Sequence, residues 1–137
     1  EEQEYRAIAR SLAAEIHAGY QALRQHCPMN LRRRGATRLT PAVEADVMRI
    51  VNYWRRFRIE AGGAGAFLFG EFGAVDAMFA PLATRIRSYE IPVDRVANEY
   101  IDAIYNLPAF QKWYQAAVAE PWKIASVDNV DKLRSLR

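Results

Sequence analysis

A chain of 137 residues is long enough for one domain with a real hydrophobic core. Apolar residues at 51% and charged residues at 26% are the balance of a folded globular protein and exclude a disordered or low-complexity chain. The net charge of +3 is too small to demand nucleic acid as a partner, although only Lys112, Lys123 and Lys132 of the 19 cations are not arginine.

The chain opens at Glu1 directly in helical sequence and without a methionine, as expected of a piece of a longer protein. Tyr5, Ile8, Leu12, Ile16, Tyr20 and Leu23 advance by three or four, which predicts one amphipathic helix of about 25 residues. It ends near Cys27-Pro28. Cys27 is the single cysteine, so no internal disulfide can form, and a reducing compartment suits it. No stretch reads as a signal peptide, and no apolar run approaches the ~18–20 residues of a membrane span. The expected location is cytoplasmic, with no membrane partner.

An arginine-rich stretch follows to Leu39. The Arg32–Arg34 run reads as a solvated loop, and Arg55, Arg56 and Arg58 as a solvated helix face. Thr40-Pro41 reads as an N-cap and first helical residue. Val43, Val47, Ile50, Trp54 and Phe57 form the next stripe, ending at Gly62-Gly63, and Tyr53 falls at core spacing beside them. Residues 62–73 hold five glycines and read as a loop with Phe67, Leu68 and Phe69 tucked inward. A third helix runs from about Ala74 to Tyr89, with Val75, Met78, Phe79, Leu82 and Ile86 on one side and Pro81 inside its second turn. Ile91-Pro92 ends it. A fourth helix, about Val93 to Asn106, carries Val96, Tyr100, Ile101 and Ile104, and a fifth carries Phe110, Trp113, Tyr114 and Ala117. After Glu120-Pro121 the tail to Arg137 is polar and loosely patterned. Nowhere does a period-two strand appear, so the expected fold class is an all-α helical bundle.

Asp76 stands third in its helix, where a carboxylate can bond back to the free N–H groups of the first turn and face the positive end of the dipole. Its neighbours Ala77, Met78, Phe79, Ala80, Pro81 and Leu82 are apolar, so this start is expected to be buried. A buried carboxylate must be fully hydrogen-bonded, and the role read for Asp76 is structural.

The segment FGAVDAMFAPLATRIRSY resembles the N-capping box, Ser/Thr-x-x-Asp, that opens the central helix in the C-terminal helical domain of glutathione S-transferases. Gly73 stands where Ser or Thr is usual, so only the Asp76 half of the box is present. Glycine is itself a tolerable N-cap, and the hydrophobic staple would pair Phe72 with Ala77. LPAFQKWYQAAVAEPW (107–122) is similar to a late helix of that family, where L-P-x-[FL]-x-x-W is common. EIHAGYQALR (15–24) is similar to the first helix of the domain in bacterial, beta-class members, which often reads E-L-H-K-[GS]-F-x-P-L. The resemblance covers about residues 5–122, which gives a domain over 1–122 and a tail over 123–137.

The resemblance implies that His17 lies beside the glutathione sulfur and that Glu15 reaches the glutathione ammonium across a dimer interface. The lysine usual after that histidine is replaced by Ala18, which removes a cation. Tyr20, Gln21 and Arg24 would line the pocket for the electrophile. The parent implied is a homodimeric enzyme that joins the glutathione thiolate to small electrophiles, with glutathione as co-substrate, no tightly bound cofactor and no metal. Its N-terminal thioredoxin-like domain, which would hold glutathione and stabilise the thiolate, has no counterpart in this sequence. The alternative is a non-catalytic binding or assembly module that keeps the bundle.

Overall fold

The computed structural model describes residues 2–60 and 65–131. The expected stop at Gly62-Gly63 lies outside the described residues. Among the described residues seven helices follow one another: α1 (Glu2–Ala18), α2 (Gln21–His26), α3 (Pro41–Glu60), α4 (Ala74–Ser88), α5 (Arg95–Tyr105), α6 (Pro108–Ala119) and α7 (Ala125–Asp128). Among the described residues the fold is all-α, with only two isolated bridges, in the 67–71 loop. The packing follows from the stripes: α1 lies on α4, α2 on α3, and α5 touches α3, α4 and α6.

The expected single helix of about 25 residues is two helices. Gly19 N–H bonds Glu15 O at 2.7 Å, and Tyr20 then turns left-handed at φ 58°. A Cβ on Gly19 would meet the Glu15 carbonyl at 2.7 Å, so only glycine lets the chain leave α1 here. Tyr20 has no side-chain oxygen within reach of its own helix start. The cap is supplied from α3 instead, where Asp46 Oδ2 accepts from Leu23 N–H at 2.9 Å. The stripe itself stays in phase, and Leu12, Ile16, Tyr20 and Leu23 are all buried.

α3 begins as its sequence requires, with Thr40 Oγ1 accepting from Val43 N–H and Pro41 at the first position. Val43, Val47, Ile50, Trp54 and Phe57 are buried, Trp54 against the rings of Phe79 and Tyr100. In the following loop Leu68 is fully buried while Phe67 and Phe69 are half-buried. α4 is the centre of the bundle and buries Val75, Phe79, Leu82, Ala83 and Ile86. Met78, expected with them, is 37% exposed because it lies at the edge of that arc. α5 starts at Arg95 rather than Val93, because Asp94 caps it by accepting from Ala97 N–H at 2.8 Å.

The arginine run is a loop with Arg32 and Arg34 exposed, as expected, but Arg33 is covered and all three side chains are tied to the protein. Arg32 donates to the carbonyls of Val118, Glu120 and Trp122 at the end of α6. A cation there also complements the helix dipole. The Arg33 side chain is only 9% exposed; it donates to Gly35 O and Ser88 O, pairs with Asp131 at 2.8 Å and lies 3.9 Å from the Tyr89 ring centroid. Arg34 donates to Leu31 O and to the Tyr114 hydroxyl. These contacts hold the described part of the tail: α7 forms, Val130 is buried, and Asn30 donates to Asp128. On α3, Arg55 pairs with Asp94 and Arg56 with Glu60, while Arg58 donates to Val96 O.

Among the described residues one buried cation has no carboxylate in hydrogen-bond contact. Arg85 donates from Nε to Cys27 O and from Nη1 to Pro81 O. Burial, and then the charge of Arg24, lowers its pKa to about 10, so it remains charged at neutral pH.

Candidate functional site

The residues singled out at the end of α1 and the start of α2 fall into three environments. Glu15 is the centre of the first. Its Oε1 accepts from the Tyr20 hydroxyl at 3.0 Å, its Oε2 from the Tyr53 hydroxyl at 3.0 Å, and Arg49 Nε approaches Oε1 at 2.6 Å. The carboxylate is 23% exposed and the Arg49 side chain 62%, so the cluster is walled by tyrosines inside and open to water on the arginine side. Burial, then the hydrogen bond and charge of Glu15, push the Tyr20 hydroxyl well above its ordinary pKa; it is a neutral donor at any physiological pH. The Tyr53 hydroxyl and Glu15 raise Arg49 further above its already high value.

The second environment is the helix end. Arg24 donates from Nε to Gly19 O at 3.0 Å and from Nη2 to Ile16 O. Its guanidinium thus covers carbonyls that α1 leaves unpaired as it stops. The third is the surface. His17 is exposed in the last turn of α1, and Gln21 is exposed with Nε2 donating to Ala18 O at 3.1 Å. Glu15 and Tyr20 are therefore brought together, Arg24 is turned to the backbone, and His17 and Gln21 face solvent.

Tyr53 and Arg49 were not among the expected site residues. They stand four apart on α3, so one face of that helix presents both, but the stripe that fixes α3 marks Tyr53 only as core. Nothing in the local sequence announces a partner on another helix.

Asp76 occupies a closed site at the start of α4 and is 0% exposed. Oδ2 accepts from Gly73 N–H at 2.9 Å; Oδ1 accepts from Leu68 N–H at 3.2 Å and from the Tyr100 hydroxyl at 2.8 Å. Gly73 brings no side-chain acceptor, and the Asp76 N–H is bonded to the Gly73 carbonyl at 3.1 Å instead. Phe72, the expected staple residue, is nearly half exposed and stacks edge-on against Phe67 at 5.3 Å. Burial first, then Asp76, raises the Tyr100 hydroxyl far above its usual pKa.

The Cys27 thiol is fully buried, an environment that suppresses the thiolate chemistry of reactive cysteines. Among the described residues, no group of three or more His, Cys, Asp or Glu side chains converges on a point that could hold a metal ion. No described helix is long and apolar enough to cross a membrane. Compared with models of known protein families the chain matches none, and no curated protein matches it.

Proposed function

We propose that this chain is the C-terminal helical half of a glutathione-transferase-like protein whose parent joins the glutathione thiolate to small electrophiles as a homodimer. The observation that carries the reading is the Asp76 constellation. An acid at the third position of a buried central helix, bonded back to its own N-cap N–H, supports the reading, because it is the arrangement expected of that family's capping box with its hydroxyl half missing. In this reading a thioredoxin-like domain supplies most contacts to glutathione and stabilises its thiolate. The helical half contributes the exposed ring of His17 near the sulfur and an apolar wall. Glu15 already holds two phenols and a guanidinium, so a ligand ammonium would have to take the place of Arg49.

Calorimetry with glutathione on this chain and on its full-length parent tests the reading. Binding by the parent and none by the chain is the expected result. Tight binding by the chain alone overturns the division of labour.

A second reading has an observation of its own. Glu15 and Arg24, two of the groups expected to touch ligand, are engaged by internal partners, as in a module that keeps the bundle for binding or assembly and performs no chemistry. Turnover of a generic aryl halide by the parent, no faster than in buffer with glutathione, is the outcome that favours the module.

A further inference from the structure

An apolar cleft of about 320 Å³ lies between the first two turns of α4 and the corner where α5 passes into α6. Every residue lining it is apolar, and its walls include Phe72, Ala77, Pro81, Leu107, Phe110 and Trp113. Phe72 and Trp113 are both nearly half exposed, the one at the mouth of the α4 N-terminus and the other on α6. Aromatic walls and a volume at the small end of the ligand-pocket range suit a flat molecule of two or three rings.

The cleft also contains a break in the helix ladder. Pro81 lacks an N–H, so the carbonyl four residues earlier, on Ala77, has no donor from the regular i→i−4 pattern. Ala77 and Pro81 both line the cleft, so the interrupted rung of the ladder lies in its wall. By contrast, the Pro81 carbonyl is covered by Thr84 Oγ1 at 2.8 Å and Arg85 Nη1 at 2.9 Å. An acceptor lacking its helical donor in an otherwise apolar pocket selects a ligand with one N–H or O–H. We propose that this cleft is a binding site for small flat aromatic molecules carrying a single hydrogen-bond donor, held by the Ala77 carbonyl between Phe72 and Trp113. It shares no residue with the Glu15 cluster, so it stands or falls independently of the transferase reading.

Indole and benzofuran are a matched pair, the N–H of one replaced by an ether oxygen in the other. Each is titrated into the ¹⁵N-labelled chain while the tryptophan side-chain resonances are followed. Sub-millimolar saturable binding of indole is expected, moving the Trp113 resonance and leaving that of Trp54, buried in the bundle centre, in place. Indole should bind about three- to tenfold more tightly than benzofuran, the worth of one net hydrogen bond. Pro81→Ala restores the N–H to the ladder and favours the helix, so the variant will fold; the preference for indole should disappear. Ala77→Leu, at an exposed helical position, should weaken both ligands. A Trp113 resonance that does not move, a preference that survives Pro81→Ala, or unchanged affinities in Ala77→Leu would each overturn the proposal.

Discussion

Replacing Asp76 with Ala removes an acceptor that holds three donors from three parts of the chain. Leu68 and Tyr100 are both 0% exposed, so water cannot reach the N–H and O–H left behind. Each stranded buried donor costs about 1–3 kcal/mol. Loss of the negative charge at the helix start adds about 0.3–1 kcal/mol. The Gly73 N–H is half-buried and can turn to water, so it adds less. The sum is about 2–7 kcal/mol, against a typical total stability of about 5–15 kcal/mol. Urea unfolding followed by circular dichroism should show the midpoint falling by about 2 M with the slope unchanged. If the alanine variant fails to fold, Asp76→Asn provides the measurement. It keeps one oxygen for Leu68 and Tyr100 but turns an NH₂ toward the Gly73 N–H, for a loss of about 1–2 kcal/mol. A loss below about 1 kcal/mol in Asp76→Ala would refute the claim that this carboxylate locks the loop, α4 and α5 together.

Gly73→Ser restores the hydroxyl half of the capping box; the backbone is extended there and a Cβ would sit 3.7 Å from Asp76 Oδ2, so thermal unfolding should show a gain of about 0.5–1 kcal/mol. Arg33→Ala removes the pair with Asp131, the bond to Ser88 O and the stacking on Tyr89, and should cost about 2–4 kcal/mol and speed tryptic cleavage after Lys123. Above pH ~10 stability should fall steeply. Unfolded tyrosines lose protons there while Tyr20 and Tyr100 keep theirs and Tyr105 holds its own to about 12, so the unfolded state binds fewer protons and each tyrosine contributes a slope of about −1.4 kcal/mol per pH unit. Arg85 acts in the opposite sense, being deprotonated more easily when folded, and offsets only part of this. Stability constant from pH 9 to 11 by urea titration would contradict the assigned burial.

The helices were legible where burial repeats every three or four residues. Val43 to Phe57 form such a stripe, and so do the residues of α4 and α5. The break between α1 and α2 was not, because the stripe crosses it in phase: Ile16, Tyr20 and Leu23 remain buried on both sides of a left-handed residue. Periodicity reports which face is buried and is silent about a turn that preserves the face. The anchoring contacts of the arginine run are illegible for a related reason. The partners of Arg32 are backbone carbonyls 86–90 residues away, and a carbonyl has no sequence signature. α7 and the buried Val130 were missed because one apolar residue makes no period.

Asp76 and Glu15 each gather three donors, tyrosine hydroxyls among them, and exposure separates the two better than sequence does. Asp76 is fully buried, and two of its three donors, the Leu68 N–H and the Tyr100 hydroxyl, belong to residues that are buried with it. Glu15 has two phenols behind it, but its third partner, Arg49, is mostly in water. A surface pair of this kind is worth about 0–1 kcal/mol, little enough for a ligand cation to replace. Arg49→Ala should therefore leave the urea midpoint of the chain almost unchanged while freeing the outer side of Glu15 Oε1. If Glu15 receives the glutathione ammonium in the parent, removing the competing guanidinium should tighten glutathione binding by calorimetry, with the gain lost again in Arg49→Ala/Glu15→Gln. An affinity indifferent to Arg49 would make Glu15 a clamp between α1 and α3 and nothing more.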